Sequence, residues 1–180
     1  ELLLQDAKID VFGVGERLIT SKSEPVFGGV YKLVALEEDG TIIPKIKISD
    51  NPAKMTVPHF KKVLRIFDKD TKQPQADLLT LHDEEINVNE PLEIFDPNFT
   101  YKRKVIENFY VENMLLPIFL NGTLVYDIPT LEEVRKYCHD SVAGLWDEMK
   151  RFEYPHKYYV DLSEKLWSVR EELILKSRKS

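Results

Sequence analysis

The apolar pattern of the chain changes its period near Pro129, and this change limits the folds that the chain can adopt. Before Pro129, short apolar runs alternate with turn-forming residues, a pattern typical of β-strands. After it, apolar residues recur at helical spacing, and Thr130 with Glu133 forms a predicted capping box at a helix start. The sequence therefore predicts an α+β fold, with a β-rich body followed by C-terminal helices.

Three segments follow from this pattern: 1–22, a β-rich domain at 23–128 and a helical segment at 129–180. Residues 8–12 are predicted as a strand, and the turn at Gly13, Val14 and Gly15 leads into a helix beginning at Glu16. This order of strand, glycine turn and helix is typical of α/β architecture.

Short strands are expected throughout the β-rich domain. The predicted ranges are 30–36, 42–48, 63–67, 77–81 and 92–95. A hairpin is predicted where ranges 115–120 and 123–126 flank Asn121 and Gly122, because Asn-Gly favours the positive φ angles of a type I′ turn.

Two helices are predicted in the tail, each with one apolar stripe that should pack on the rest of the chain. The first should end near residue 151 and bury Leu131, Val134, Cys138, Val142, Leu145 and Met149. The second should begin at a cap formed by Asp161 and Glu164 and bury Leu162, Leu166, Val169 and Leu173.

The charge balance argues against a general nucleic-acid binder, since 25 Lys and Arg stand against 31 Asp and Glu for a net charge of −6. A local basic excess lies between Thr41 and Gln75. Its basic residues are Lys45, Lys47, Lys54, Lys61, Lys62, Arg65, Lys69 and Lys72. Either this stretch is a solvated surface or it holds an anion site.

Cysteine usage and hydropathy bear on location. Cys138 is the only cysteine of the 180 residues, so no disulfide forms within the chain and a cytoplasmic location is the simplest expectation. No apolar run approaches the length of a membrane span. The four histidines share no metal-ligand spacing, and no metal site is expected.

The glycine turn is the first candidate site, because glycines let backbone N–H groups approach a phosphate closely. Arg17 is a nearby cation, whereas the carboxylate of Glu16 would repel a phosphate. An ordinary turn is the alternative.

Five collinear blocks of the sequence form a longer pattern: Asp10–Gly15 with Arg17–Ser21, Gly28–Ala35, Pro44–Ser49 continuing through Asn51, Lys54, Thr56 and Pro58, Leu145–Glu148 with Lys150 and Arg151, and Pro155–His156 with Tyr158 and Val160–Ser163. In this order and spacing the blocks resemble nicotinate phosphoribosyltransferases. Pro58 and His59 stand where family members often have Pro-Gly.

The resemblance implies an enzyme that forms nicotinate mononucleotide and pyrophosphate from nicotinate and phosphoribosyl pyrophosphate for NAD synthesis. It implies ATP hydrolysis through a phosphorylated histidine, a Mg²⁺ ion and a homodimer. It also implies an irregular α/β barrel joined to a β-rich domain, so that residues 1–22 would be a stub of the barrel. A nicotinamide-specific relative is the near alternative.

The family's phosphate turn falls on Gly13, Val14, Gly15, Glu16 and Arg17, which the resemblance assigns to the 5′-phosphate of the ribose. Glu16 occupies a position that is often threonine in the family. A second set, Lys45, Lys47 and Lys54, is carried over to the pyrophosphate side. The resemblance assigns no catalytic residue and no metal ligand to this chain.

The family's catalytic histidine, its nicotinate-binding arginine and most barrel strands lie before this segment. We therefore expect the chain to be a fragment that is inactive alone and whose partner is the remainder of its own polypeptide. The apolar run that follows Glu1 directly is expected to mark a cut through a longer chain. Residues 1–22 should be displaced or pack on another copy, because apolar side chains there lose their partners: Leu2, Leu3, Leu4, Ile9 and Phe12. The alternative is a non-catalytic β-rich interaction or regulatory module.

Overall fold

A computed structural model describes residues 5–26, 28–51 and 54–178 of the chain. The chain is a mixed α+β protein of two compact units, Glu1–Lys32 and Leu33–Ser180. The larger unit carries all of the described strands. Leu2, Leu3 and Leu4 lie outside the described residues.

The first unit contains one helical turn, α1 (Glu16–Ile19), as the glycine-turn pattern predicts. The predicted strand at 8–12 is wrong, because these residues adopt no strand. A strand needs a hydrogen-bonded neighbour, and the described residues of this unit provide none. Apolar side chains are correspondingly exposed here, with Val11 at 84% and Phe12 at 60%, while Ile9 is half-buried.

A four-stranded sheet forms the centre of the larger unit. Its strands are β3 (Lys61–Asp68), β4 (Pro74–Leu81), β7 (Phe109–Asn113) and β10 (Val160–Leu162), in the order β10–β4–β3–β7. β3 is antiparallel to both of its neighbours, and β10 lies parallel to β4. The last strand in sequence therefore closes the edge next to β4.

The core lies on one face of this sheet. Alternate residues of β4 are buried, as expected for a strand with one face toward the core. A second hairpin, β5 (Leu92–Asp96) with β6 (Phe99–Ile106), covers that face. The cluster so formed consists of Ile66, Ala76, Leu78, Ile94, Ile106 and Phe109.

The smaller strands match the predicted turns in part. β1 (Ala35–Glu38) pairs with β2 (Thr41–Pro44), so the predicted strands 30–36 and 42–48 are both much longer than the strands observed. The first residues of the range 30–36 lie outside β1, and Val30 is 85% exposed. β8 (Phe119–Leu120) and β9 (Thr123–Leu124) form a hairpin at the predicted turn, with positive φ at both Asn121 and Gly122, but both strands are shorter than predicted.

The first tail helix, α2 (Leu131–Ala143), begins at the predicted capping box of Thr130 and Glu133. It ends at Gly144 and not near 151, because the chain then becomes extended at Trp146, whose indole N–H donates to the Pro74 carbonyl at 2.9 Å. The predicted burial of its apolar face is wrong: α2 has no buried residue, and Cys138 is exposed.

The second tail helix, α3 (Glu164–Ser177), packs against β4 and buries Leu166 completely. Its N-cap is Ser163, whose side chain accepts a hydrogen bond from the Leu166 N–H, and not the predicted Asp161. Asp161 lies inside β10, because the pairing of Val160–Leu162 with β4 extends the backbone there. No helix among the described residues is long and apolar enough to cross a membrane.

Candidate functional site

The glycine turn lies in the first unit, directly before α1. Gly15 is the N-cap residue, with an extended backbone and no left-handed φ angle. A Cβ atom built on Gly13 or on Gly15 would meet no atom within 4 Å. Neither steric crowding nor backbone conformation therefore requires glycine here, and the turn leaves open space beside its backbone.

The side chains that follow the turn are exposed. Glu16 and Arg17 form no salt bridge with each other within the described residues, so the carboxylate of Glu16 stays on the open surface next to the turn. The Thr20 hydroxyl donates to the Glu16 carbonyl at 2.8 Å and closes the helical turn. The phosphate assignment of residues 13–17 stays a prediction.

Lys45, Lys47 and Lys54 lie in the larger unit, after β2. Their backbone N–H groups hold the local chain: Lys45 donates to the Val34 carbonyl and Lys47 to the Thr56 hydroxyl. The three ammonium groups make no salt bridge in the described part of the chain. Their cationic heads are therefore available, and their assignment to pyrophosphate also stays a prediction.

Other residues of the basic stretch are engaged in contacts within the fold. Lys61 donates to three backbone carbonyls, of Val57 at 2.8 Å, Pro58 at 3.3 Å and His59 at 2.7 Å. Burial lowers the pKa of this ammonium group. The Lys62 ammonium lies 3.1 Å from the Glu85 carboxylate. These two lysines are therefore not candidates for an anion site in the basic stretch.

Arg65 is the third engaged cation. Its Nε and Nη2 donate to the two oxygens of Asp77 at 2.8 and 2.9 Å, across β3 and β4. The Tyr158 hydroxyl donates to Asp77 Oδ1 at 2.9 Å, and the guanidinium lies 5.8 Å from the Tyr158 ring centre. Burial, with a further contribution from the bond to Asp77, raises the pKa of Tyr158, while the bond to Asp77 raises the pKa of Arg65.

Side chains of the last two of the five sequence blocks make hydrogen bonds to the region of the central sheet. Trp146 is hydrogen-bonded to Pro74, Tyr158 to Asp77, and the Ser163 hydroxyl to Glu84 Oε2 at 2.7 Å. Each bond joins the C-terminal segment to the β3–β4 region of the sheet. Sequence reasoning missed Asp77 and Glu84, because their partners lie about 80 residues further along the chain.

His59 and His82 lie close together, with stacked rings whose centroids are 6.2 Å apart. His59 has φ +79, a left-handed conformation that favours glycine. It occupies the position of the glycine in the Pro-Gly pair that is frequent in the family that the sequence resembles. His139 and His156 lie elsewhere. Among the described residues no group of three or more His, Cys, Asp or Glu side chains could hold a metal ion.

Comparisons with known proteins identify what the chain is similar to. A family model described as "Nicotinate phosphoribosyltransferase C-terminal domain" matches residues 60–170. The nicotinate phosphoribosyltransferase of Bacillus subtilis (strain 168) is 43% identical over 179 residues, which cover 98% of this chain and 36% of that protein. The Caenorhabditis elegans protein of the same name is 32% identical over 96% of this chain and 30% of its own length.

A solved structure agrees with these matches. The crystal structure of human nicotinic acid phosphoribosyltransferase aligns with a TM-score of 0.59 and 27% identity, covering 66% of this chain and 24% of that one. The resemblance seen in the five sequence blocks is thereby confirmed. The chain spans about a third of the length of the curated relatives it matches.

Proposed function

The chain belongs to the nicotinate phosphoribosyltransferase family, and on that premise we propose that it is the carboxy-terminal part of an enzyme of NAD biosynthesis. That enzyme would form nicotinate mononucleotide and pyrophosphate from nicotinate and phosphoribosyl pyrophosphate, coupled to ATP hydrolysis. The observation that carries the proposal is the match to the Bacillus subtilis relative along 98% of the chain.

Within the proposed reaction, the role of this chain is to bind phosphate. As pyrophosphate leaves the ribose C1, positive charge develops on the sugar, and the substrate must be held at its phosphate groups. The backbone N–H groups at Gly13 and Gly15 would hold the 5′-phosphate. The open space at both glycines supports this role, because a phosphate can approach the backbone there without meeting a side chain.

The neighbouring side chains would adjust this binding in opposite directions. Arg17 supplies a positive charge beside the turn, and its side chain is exposed. Glu16 carries a negative charge where the resemblance expects a threonine hydroxyl, so its exposed carboxylate would weaken phosphate binding.

Lys45, Lys47 and Lys54 would serve the pyrophosphate. Their ammonium groups make no salt bridge to any residue that the structure describes, which supports the assignment, whereas Lys61, Lys62 and Arg65 are held by carbonyls or carboxylates. An ammonium group binds phosphate as a flexible point charge, which suits a leaving group that moves away from the ribose.

We propose that the Mg²⁺ of the reaction is bound by the remainder of the polypeptide. Among the described residues no group of three or more His, Cys, Asp or Glu side chains could hold a metal ion, and we assign no step of the reaction to a metal bound by this chain. ATP and nicotinate would likewise be bound by the remainder of the polypeptide, which would also carry the phosphorylated histidine.

The exposed apolar side chains support a larger assembly. In the first unit Val11 and Ile19 are 84% and 77% exposed, and in the second the apolar face of α2 is uncovered. Contiguous exposed apolar surface marks an interaction site. We propose that the remainder of the polypeptide covers these surfaces, with residues 1–22 completing an α/β barrel, in a homodimer of the cytoplasm.

The decisive experiment compares the 180-residue chain with an enzyme of the relatives' length that contains it. A coupled assay for nicotinate mononucleotide should detect turnover only with the longer enzyme. Turnover by the 180 residues alone would contradict the proposal that catalysis needs the remainder of the polypeptide. No turnover by the longer enzyme with nicotinate would contradict the proposed function, and turnover with nicotinamide instead would indicate the nicotinamide-specific alternative.

A variant of the longer enzyme tests the phosphate turn. Gly15→Asp places a carboxylate in the open space and should raise the apparent KM for phosphoribosyl pyrophosphate at least tenfold. Ser23→Asp is the matched control, since it adds the same charge on an exposed residue of the same unit outside the turn. Equal KM values for the two variants would show that the turn is not part of the substrate site.

A further inference from the structure

The second unit contains a cleft of about 790 Å³ that the proposed reaction does not use. It lies between the β5–β6 hairpin and the segment 157–161 that leads into β10. A cleft of this size accommodates a small organic molecule, since ligand pockets usually measure about 300 to 1,000 Å³.

The cleft is lined by an acidic side chain that is almost completely buried. Asp161 is only 4% exposed, and its carboxyl group has no hydrogen-bond partner among the described residues. Burial raises the pKa of Asp161, and the nearby charge of Asp96 raises it further, against the opposing effect of Lys157. A ligand in the cleft could therefore donate a hydrogen bond to this carboxyl group.

Two cations of the cleft are less engaged than the others, although the charge of Lys157 acts on Asp161. Lys102 and Lys157 form no salt bridge in the part of the chain that the structure describes. The other two cations of the lining are engaged: Arg103 with Glu93, and Lys104 with the Gln75 amide oxygen at 3.2 Å. Lys102 and Lys157 are thus the groups that can receive an anion.

Exposed aromatic rings complete the lining. Phe99 is 48% exposed and Tyr101 is 76% exposed, and their ring centroids are 6.1 Å apart. The Lys102 ammonium lies 4.4 Å from the Phe99 ring centre and 5.9 Å from that of Tyr101. The two rings meet edge to face, and Lys102 lies nearer to Phe99, so the more exposed Tyr101 ring offers the stacking surface for a planar ring next to a site for a negative charge.

We propose that this cleft binds a nucleoside monophosphate whose base carries an amino group. Lys102 and Lys157 bind the phosphate, Tyr101 stacks on the base, and Asp161 accepts a hydrogen bond from the amino group. The cations, the aromatic ring and the carboxyl group line the same cleft. A ligand that contacts all three needs an anionic group, a planar ring and a hydrogen-bond donor. The proposal does not depend on the transferase reaction, because none of these residues belongs to the predicted substrate set.

Isothermal titration of the 180-residue chain with AMP tests the proposal. AMP should bind at least tenfold more tightly than inorganic phosphate, which has no ring, and than adenosine, which has no phosphate. Purine riboside 5′-monophosphate, which lacks only the amino group, should bind at least fivefold more weakly than AMP. Equal binding of AMP and inorganic phosphate would overturn the proposal, as would no binding of AMP at millimolar concentration.

Three variants locate the site. Lys157→Met should weaken AMP binding at least tenfold, whereas Lys165→Met, on the exposed surface of α3, should leave it unchanged. Asp161→Asn should remove most of the preference for AMP over purine riboside 5′-monophosphate. Equal effects of the two lysine variants would place AMP elsewhere, and an unchanged preference in Asp161→Asn would overturn the role of Asp161. Circular dichroism of each variant confirms that it is folded.

Discussion

The guanidinium group of Arg65 and the carboxylate of Asp77 face each other across β3 and β4, joined by two hydrogen bonds of 2.8 and 2.9 Å. Asp77 also accepts a hydrogen bond from Tyr158, and its backbone N–H donates to the Tyr159 carbonyl at 2.9 Å. One carboxylate therefore connects the central hairpin to the segment that leads into β10.

Asp77→Ala should destabilise the protein strongly. The substitution leaves the half-buried Arg65 charge and the Tyr158 hydroxyl without their partner, and the free energy of unfolding should fall by about 2 to 4 kcal/mol. Urea denaturation followed by circular dichroism measures the change. Glu85→Gln is the control, because Glu85 is 90% exposed and its bond to Lys62 should contribute less than about 1 kcal/mol. Similar losses in both variants would refute the special role of Asp77.

Tyr158 should make the protein sensitive to alkali. Burial raises the pKa of its hydroxyl above the ordinary value of 10, so the folded protein retains this proton at a pH where the unfolded chain loses it. The free energy of unfolding therefore falls as the pH rises above 10. Tyr158→Phe should be less stable at neutral pH and should show a shallower fall between about pH 9 and about pH 11. Tyr154→Phe, altered at a residue 92% exposed, should keep the wild-type slope.

His59→Gly should stabilise the protein. A left-handed backbone costs roughly 1 to 2 kcal/mol for a residue with a Cβ atom, and glycine removes this cost while adding entropy to the unfolded chain. We expect a net gain of up to about 1 kcal/mol in the free energy of unfolding. His59→Ala retains the Cβ atom and loses the stacking on His82, so it should not stabilise. A loss of stability in the glycine variant would mean that the ring contact outweighs the strain.

The N-caps of α2 and α3 should differ in strength. Ser163 caps α3 from a buried position and also donates to Glu84, so Ser163→Ala should cost about 2 kcal/mol. Thr130 caps an exposed helix, so Thr130→Ala should cost only about 0.5 to 1 kcal/mol. Thermal unfolding compares the two variants. The expectation fails if the threonine variant is the less stable of the two.

Glu16→Thr should strengthen substrate binding in the longer enzyme. The hydroxyl group would donate to the ribose 5′-phosphate where the carboxylate repels it, and the apparent KM for phosphoribosyl pyrophosphate should fall by roughly three- to tenfold. Initial-rate kinetics at saturating nicotinate and ATP measure the change. Glu24→Thr, an exposed position of the same unit, should leave the KM unchanged. An increase in KM for Glu16→Thr would indicate that the carboxylate has a positive role in binding.

Sequence patterns predicted the local structure correctly where neighbouring residues determine the conformation. The Asn121-Gly122 hairpin forms because its turn needs two positive φ angles, and the capping box forms because Thr130 and Glu133 satisfy each other's backbone groups. The family was also evident from the five blocks. By contrast, β6 and β7 were not predicted, since the basic residues within β6 obscure its alternation and both strands depend on partners elsewhere in the chain.

The sequence by itself determined the order of a β-rich body and a helical tail, the local turns and caps, and the family. Only the tertiary structure decided which basic residues are engaged, that Cys138 on α2 is exposed, and that Asp161 is an extended, buried residue and not a helix cap. The physical reason is distance along the chain. Arg65 meets Tyr158, and β4 meets β10, about 80 or more residues apart, and local preferences carry no information about such pairings.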